Sequence, residues 1–424
     1  MQTRRLKPSL SRALCLAVAA LILCLPAQGA PKYKVLHTFT GGADGAGSWG
    51  GVTLHQGKLY GTGGGGAGTC NGGCGVVFKL TPGAHGQWTE AVLHSFAGGS
   101  DGYDPYGGVI LDGSGNLYGT TVSGGTHNYG TVFELTQGSN GWQDNILYNF
   151  EYLSQPVALL AMDQAGNLYG TTPKDSDAYE LARGSDGWGE IVLHNFTGDN
   201  GDGAGPYAGV ILDAAGNLYG TTQYGGPHND GIAYELSPVS GGGWKETLLH
   251  RFDPNGKDGV TPSWGALFMD HAGSLYGTTR GGGTNECGGD SDGPQAGQPL
   301  GGQIGNCGTV YRLTNGGDGR WKETILYSFN SGPTGYSPNA GVVMDKAGNL
   351  YGTTDYGGWG GCGVIYKLAP GPKGKWTYTV LYAFLVPDGC QPEGNLVLDQ
   401  KGNLYGGTVT GGAYRNGVVF ELTP

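Results

Sequence analysis

Charge is scarce in this chain: Asp, Glu, Lys and Arg make up only 13% of its 424 residues. That excludes a coiled coil and the charged kind of disordered segment. Basic side chains are the rarer sign, 23 against 34 acidic, a balance that repels nucleic acid and anionic lipid. After the first 30 residues no apolar run is long enough for a membrane-spanning helix. There is no H-E-x-x-H and no phosphate loop, so neither zinc-protease nor nucleotide chemistry is announced. What the chain has in quantity is glycine, 89 residues of it, used as punctuation between short β-prone runs.

The amino-terminal segment is of a different composition. Arg4, Arg5, Lys7 and Arg12 precede an apolar stretch from Ala13 to Leu25 and a small-residue site ending at Gly29. This pattern predicts a secretory signal peptide over residues 1–29, with no lipid-attachment site at Cys15 or Cys24. Its removal takes four positive charges from the 23 and leaves 19 basic against 34 acidic side chains, a net charge of −15. Six cysteines remain, Cys70, Cys74, Cys287, Cys307, Cys362 and Cys390. An even number in an exported chain points to disulfides.

The remainder, residues 30–424, reads as one domain of repeats. "AGNLYGTT" stands at 165–172, 215–222 and 347–354, and its Leu-Tyr-Gly core recurs with Tyr60, Tyr118, Tyr169, Tyr219, Tyr276, Tyr351 and Tyr405. The spacings are 58, 51, 50, 57, 75 and 54 residues, the period of a propeller or a solenoid. One unit, 107–150, holds four β-prone runs, "GVILD", "NLYGTT", "TVFEL" and "NILYNF", here named strands a to d. Asp-x-x-Gly-Asn joins a to b, as in Asp112 to Asn116, which predicts an antiparallel hairpin. Pro105, Pro156, Pro206, Pro262, Pro338 or Pro392 lies between d and the next a, with Ser48 in the first copy. The chain starts on an orphan d strand, "YKVLHTF" from Tyr33, and stops on an orphan c strand, "GVVFEL" from Gly417. Complementary ends predict a closed all-β ring: a seven-bladed β-propeller of four antiparallel strands per blade, its last blade completed by the amino-terminal strand. A β-solenoid is the alternative, but solenoid ends are usually capped.

The octapeptide resembles the Gloeo/Verruco (GloVer) tandem repeat of exported bacterial proteins, and the GVxLDxxGNLYG core looks like NHL and SMP-30-type propeller blades. The resemblance implies secretion and no established activity. Ending at Pro424 directly after a strand, the chain is expected to be released, into the periplasm or the medium, instead of tethered.

Most repeated polar residues read as structural. His37, His94, His194 and His250 share a column with Tyr148, Tyr327 and Tyr382, and a position that takes either ring is expected to be packing and not a metal site. The once-per-blade Trp88, Trp142, Trp188, Trp244, Trp321 and Trp376 are expected to pack between blades. Antiparallel blades place the b-to-c and d-to-a connections on one face. There Trp49, Tyr106, Tyr207 and Trp264, with His127, His228, Asp230 and Arg415, form the expected ligand platform, because sugar faces stack on rings while hydroxyls need polar partners. The bland alternative is that the rings only cover blade ends. The Asp-Gly loops "GDNGDGAG" and "DPNGKDG" leave calcium open, although turn chemistry explains them equally. No other cofactor is implied. Two copies break the symmetry: "TTPKDSDAYEL" with Asp175 and Asp177, and the insertion 280–308 with Asp290 and Asp292. Loop solvation is the preferred role for all four. The expected disulfides are Cys70–Cys74, Cys287–Cys307 and Cys362–Cys390, the last because a b-to-c loop and the next d-to-a loop share a face. The reading favours a secreted monomeric binding module for a glycan or protein, with no catalytic residue assigned. A glycan lyase, hydrolase or lactonase on the same face, and an inert envelope or matrix component, are the alternatives.

Overall fold

The computed structural model describes residues 30–285, 287 and 307–424, apart from Ala67, Leu153 and Asp318. The expected signal peptide, and most of the 280–308 insertion with Asp290 and Asp292, lie outside the described residues. Apart from three single 3₁₀ turns, every regular element described is a strand. They form a seven-bladed propeller with four antiparallel strands in each blade. Blade 2 shows the plan: strand a is Val109–Leu111, b Leu117–Thr121, c Thr131–Gly138 and d Gly141–Asn149, paired in that order. Blade 7 has Val397–Leu398, Leu404–Gly407 and Val418–Thr423, and its fourth strand is Lys32–Thr38. Lys32 pairs with Thr423 and Thr38 with Val418, so the two ends of the described chain share one sheet.

The repeated residues have identifiable tasks. In the a-to-b turn, Asp213 Oδ1 accepts the backbone N–H of Ala215 and of Asn217, and its Oδ2 accepts the Asn217 amide and the Tyr219 hydroxyl. One carboxylate thus fastens both the hairpin and the tyrosine of Leu-Tyr-Gly. The glycine of that core makes room: a Cβ on Gly352 would lie 2.3 Å from the Tyr366 hydroxyl on strand c. Blade 1 lacks the aspartate and turns instead through Gln56 and Gly57, both at positive φ, as a tight hairpin requires.

The core lies between blades. Each apolar cluster joins two neighbours, for instance Tyr60, Val77 and Phe96 of blade 1 with Leu117, Phe133 and Leu135 of blade 2. The tryptophans do pack across that seam: Trp88 meets Tyr405 at 6.0 Å, Trp244 meets Tyr169 at 6.3 Å and Trp321 meets Tyr219 at 6.4 Å. Every c–d pair carries a bulge at one register, between Val77 and Phe78 in blade 1 and Ala233 and Tyr234 in blade 4. The bulge re-aims the next side chain of strand d. That side chain is the histidine or tyrosine of the shared column.

Candidate functional site

The d-to-a connections run back over one face, and in every blade but the third short bridges among the described residues tie them to the b-to-c loop, as at Tyr103–Ser123, Tyr336–Tyr356 and Cys390–Thr410. Both connections therefore emerge on the same side. The disulfides lie there: Cys70–Cys74, Cys287–Cys307 and Cys362–Cys390. Formed disulfides fit an oxidising compartment. No helix among the described residues is long and apolar enough to cross a membrane.

Just before each strand a, one residue reaches the axis, and the small residues after it let blades close up. A Cβ on Gly265 would fall 1.8 Å from the backbone nitrogen of Gly341 in the next blade. Going round the ring the axial residues are Trp49, Tyr106, Val157, Tyr207, Trp264, Asn339 and Glu393, and together they line a cavity of about 300 Å³. The rings stand in two pairs, Trp49 with Tyr106 at 5.3 Å and Tyr207 stacked on Trp264 at 5.3 Å and 10°. Trp264 is 37% exposed, which leaves ring surface free for a guest.

The arc contributed by blades 6 and 7 is polar. Asn339 donates to Glu393 Oε2 at 3.3 Å, and Asn395 accepts the Gly341 N–H at 2.8 Å. Asn339 is only 3% exposed and its Oδ1 has no hydrogen-bond partner. Glu393 lies within electrostatic reach of Asp355 and Arg280. Burial pushes the Asp355 carboxyl well above the usual carboxylate range, Glu393 pushes it further, and Arg280 opposes both. Glu393 is raised by burial against the pull of Arg280 and the Asn339 hydrogen bond. Asp355 Oδ1 is buried without a hydrogen-bond partner, an unmet demand that a neutral, proton-bearing carboxyl or a ligand donor would satisfy.

The structure thus gathers Trp49, Tyr106, Tyr207 and Trp264 but not their expected polar companions. His127 is exposed and contacts Thr126 Oγ1, and His228 stands 3.9 Å from Asp253 Oδ1, both out on the b-to-c loops. Asp230 is buried, its carboxyl raised chiefly by desolvation. Arg415 lines a separate recess with Val386, Cys390, Thr410 and Gly411. The symmetry-breaking Asp175 and Asp177 act locally, accepting Ser154 Oγ and Asn195 Nδ2. Asn339, Glu393, Asn395, Asp355 and Arg280 escaped the sequence reading. Their signal was positional: Asn339 and Glu393 stand in the same column as the four rings, and Arg280 and Asp355 each follow the Thr-Thr that ends Leu-Tyr-Gly-Thr-Thr.

The sequence profile of the Gloeobacter/Verrucomicrobia repeat matches residues 25–182 and 290–424, more than half of the chain. No curated protein matches the sequence. Among solved structures, a catalytically inactive variant of virginiamycin B lyase from Staphylococcus aureus with quinupristin is similar, with a TM-score of 0.54 at 15% identity, covering 93% of this chain and 99% of that one. A protein from Lactobacillus plantarum is similar with a TM-score of 0.52 at 14% identity, over 87% and 99% of the two chains. At such identities the likeness concerns the fold alone.

Proposed function

The chain belongs to the Gloeobacter/Verrucomicrobia repeat family, and we propose that in it the propeller is an exported binding module whose axial cavity takes one sugar unit of a glycan. The observation that carries this reading is the two-sided cavity: four rings on one arc, Asn339, Glu393 and Asn395 on the other. A pyranose has an apolar face for stacking and a rim of hydroxyls for amide and carboxylate partners. About 300 Å³ is at the small end of ligand pockets, so the guest enters by its end, with the rest of the glycan outside. The formed disulfides support an exported location. Glycan-array screening of the purified protein, followed by calorimetric titration of a hit, tests the reading. Binding that survives truncation of all four rings would refute it.

A second reading is favoured by one observation, the grouping of buried Asp355, its Oδ1 without a hydrogen-bond partner, with Glu393 and the Arg280 cation. Burial raises both carboxyls, and one that keeps its proton would be the acid, with Arg280 the charge stabiliser, that a lyase, hydrolase or lactonase needs. A turnover screen on polysaccharides and lactones, run with Glu393→Gln beside the unaltered protein, separates catalysis from binding. Turnover that Glu393→Gln abolishes, with ligand affinity kept, would make the chain an enzyme.

A further inference from the structure

The bulge in strand d sets one ring on each seam between blades: His37, His94, His194 and His250 in four places, Tyr148, Tyr327 and Tyr382 in three. Packing treats the two ring types alike. His250 meets Phe252 edge-on at 4.8 Å and 84°, and Tyr327 meets Phe329 at 5.0 Å and 87°. The surroundings of the polar edge differ. His250 Nε2 is 2.9 Å from Asp258 Oδ2 of the following loop and 3.8 Å from Glu323 Oε2 on strand d of the next blade. His194 Nε2 is likewise 3.4 Å from Asp202 Oδ1 and 3.9 Å from Glu246 Oε2.

The seven copies form an internal experiment. His37 has Asp44 in its loop and Glu90 on the next strand d, and His94 has Asp101 and Asp144. Every tyrosine copy lacks either the loop aspartate or the carboxylate on the next strand d. Tyr148 bonds Glu190, and its loop, "EYLSQP", places Glu151 near the ring but holds no aspartate at the position of Asp44 or Asp258. Tyr382 has Asp388 in its loop but Tyr33 in the strand position, and Tyr327 has Tyr378 there. Read as a column, the ring looks like packing; read with its neighbours, histidine occurs only where two carboxylates accompany it. A ring that merely fills space has no need of them.

In the two complete groups the nitrogen and one oxygen of each acid lie within 4.8 Å of one another. Asp258 is only 7% exposed. Glu246 Oε1 and Glu323 Oε1 are buried with no hydrogen-bond partner, a demand that buried polar atoms seldom leave unmet. One imidazole nitrogen and two carboxylate oxygens around a common point, with bonds of about 2.0 to 2.2 Å, make a mixed donor set suited to zinc or manganese. We propose that His194, Asp202 and Glu246, and equally His250, Asp258 and Glu323, are binding sites for a divalent transition-metal ion that bolts blade 3 to blade 4 and blade 4 to blade 5. The aspartates belong to the loops that suggested calcium, but they turn back toward a histidine, and nitrogen ligation disfavours calcium.

The test uses the full mature protein, stripped with EDTA, dialysed and titrated with Zn²⁺, Mn²⁺ or Ca²⁺ by calorimetry, with elemental analysis and thermal melting alongside. His194→Tyr and His250→Tyr are the variants, because tyrosine already occupies this place on the same phenylalanine contact in three blades. Each substitution should remove one ion from the count bound by the unaltered protein, and the double variant two. Zn²⁺ or Mn²⁺ should raise the melting temperature of the unaltered protein by several degrees, and that rise should be smaller in the double variant. Four results would overturn the proposal: no ion bound at micromolar to 100 µM metal, an unchanged count in the double variant, binding of Ca²⁺ alone, or a melting temperature that metal does not move. An unchanged melting temperature on chelation and reloading would mean that protons, not metal, join these groups.

Discussion

At the scale of single residues, the axial column decides what the cavity can hold. Trp264→Ala and Tyr106→Ala each remove a stacking wall worth about 1 to 3 kcal/mol at a buried contact, roughly five- to a hundredfold in affinity. Each ring also meets one ring of a neighbouring blade, a contact worth about 0.5 to 1.5 kcal/mol, so calorimetric affinity for a glycan hit should fall severalfold while the melting temperature drops by only a few degrees. Asp355 gives a prediction of another kind. Its folded-state carboxyl is raised above the ordinary 3.8 by burial first and by Glu393 second. The native state then binds more protons than the unfolded chain, so stability falls as pH rises from the ordinary carboxylate range through the folded value. Asp355→Asn removes that loss. The variant should melt higher than the unaltered protein at pH 7, and the gap should close toward pH 4; a variant that melts lower at neutral pH would show that Arg280 outweighs the burial. The rings were legible in the sequence because they repeat and aromatic side chains advertise a surface. Asn339 and Glu393 were not, because their meaning lies in departing from the column, and Arg280 comes within electrostatic reach of Glu393 only because blades 5 and 7 face one axis. His127, His228 and Arg415 share that face but do not line the cavity: sharing a face is decided by strand direction, but reaching the axis depends on which end of a loop carries the residue.

At the scale of elements, the blade stands on a few repeated bonds. Asp213 accepts four hydrogen bonds within one a-to-b hairpin, and these hold its carboxyl below the usual range against burial. Asp213→Ala leaves two backbone N–H groups and the Tyr219 hydroxyl to find water, at a cost of about 1 to 3 kcal/mol. The melting temperature should drop by a few degrees while the affinity of the folded protein for its ligand is unchanged, because this turn lies on the face away from the cavity. The contribution of Asp213 is present above the unfolded carboxylate value and is lost as pH falls through the folded one. Thermal melts at pH 7 and pH 3 should therefore show the variant and the unaltered protein converging in acid. The hairpins were legible because Asp, Gly and Asn each have a stated task in that turn. The bulge of strand d was not. Nothing in "NILYNF" marks the extra residue, and only pairing against strand c exposes it.

At the scale of the whole molecule, the ring is closed by side-chain packing as much as by strand pairing, and this part was legible because the two orphan runs are complementary halves of one unit. Tyr33 stacks on Tyr382 of blade 6 at 4.0 Å and 6°, and its hydroxyl donates to the Asp388 carbonyl. His37 meets Phe39 edge-on, and Phe39 in turn meets Phe78 of blade 1 at 5.2 Å. The amino-terminal strand therefore contacts the blades on both sides of its own. Deleting Tyr33 to Phe39 removes the outer strand of blade 7, bares the edge of Val418–Thr423 and strips the apolar cover from two seams at once. An open sheet edge flanked by exposed apolar surface pairs with other chains. The shortened protein should elute partly as aggregate on size exclusion and unfold over a broader, lower range, whereas removal of a comparable length from an exposed loop should do neither. A deletion variant with unchanged elution and an unchanged single transition would show that the other six blades hold the ring without its clasp, and the closure would then be an outcome of folding instead of a condition for it.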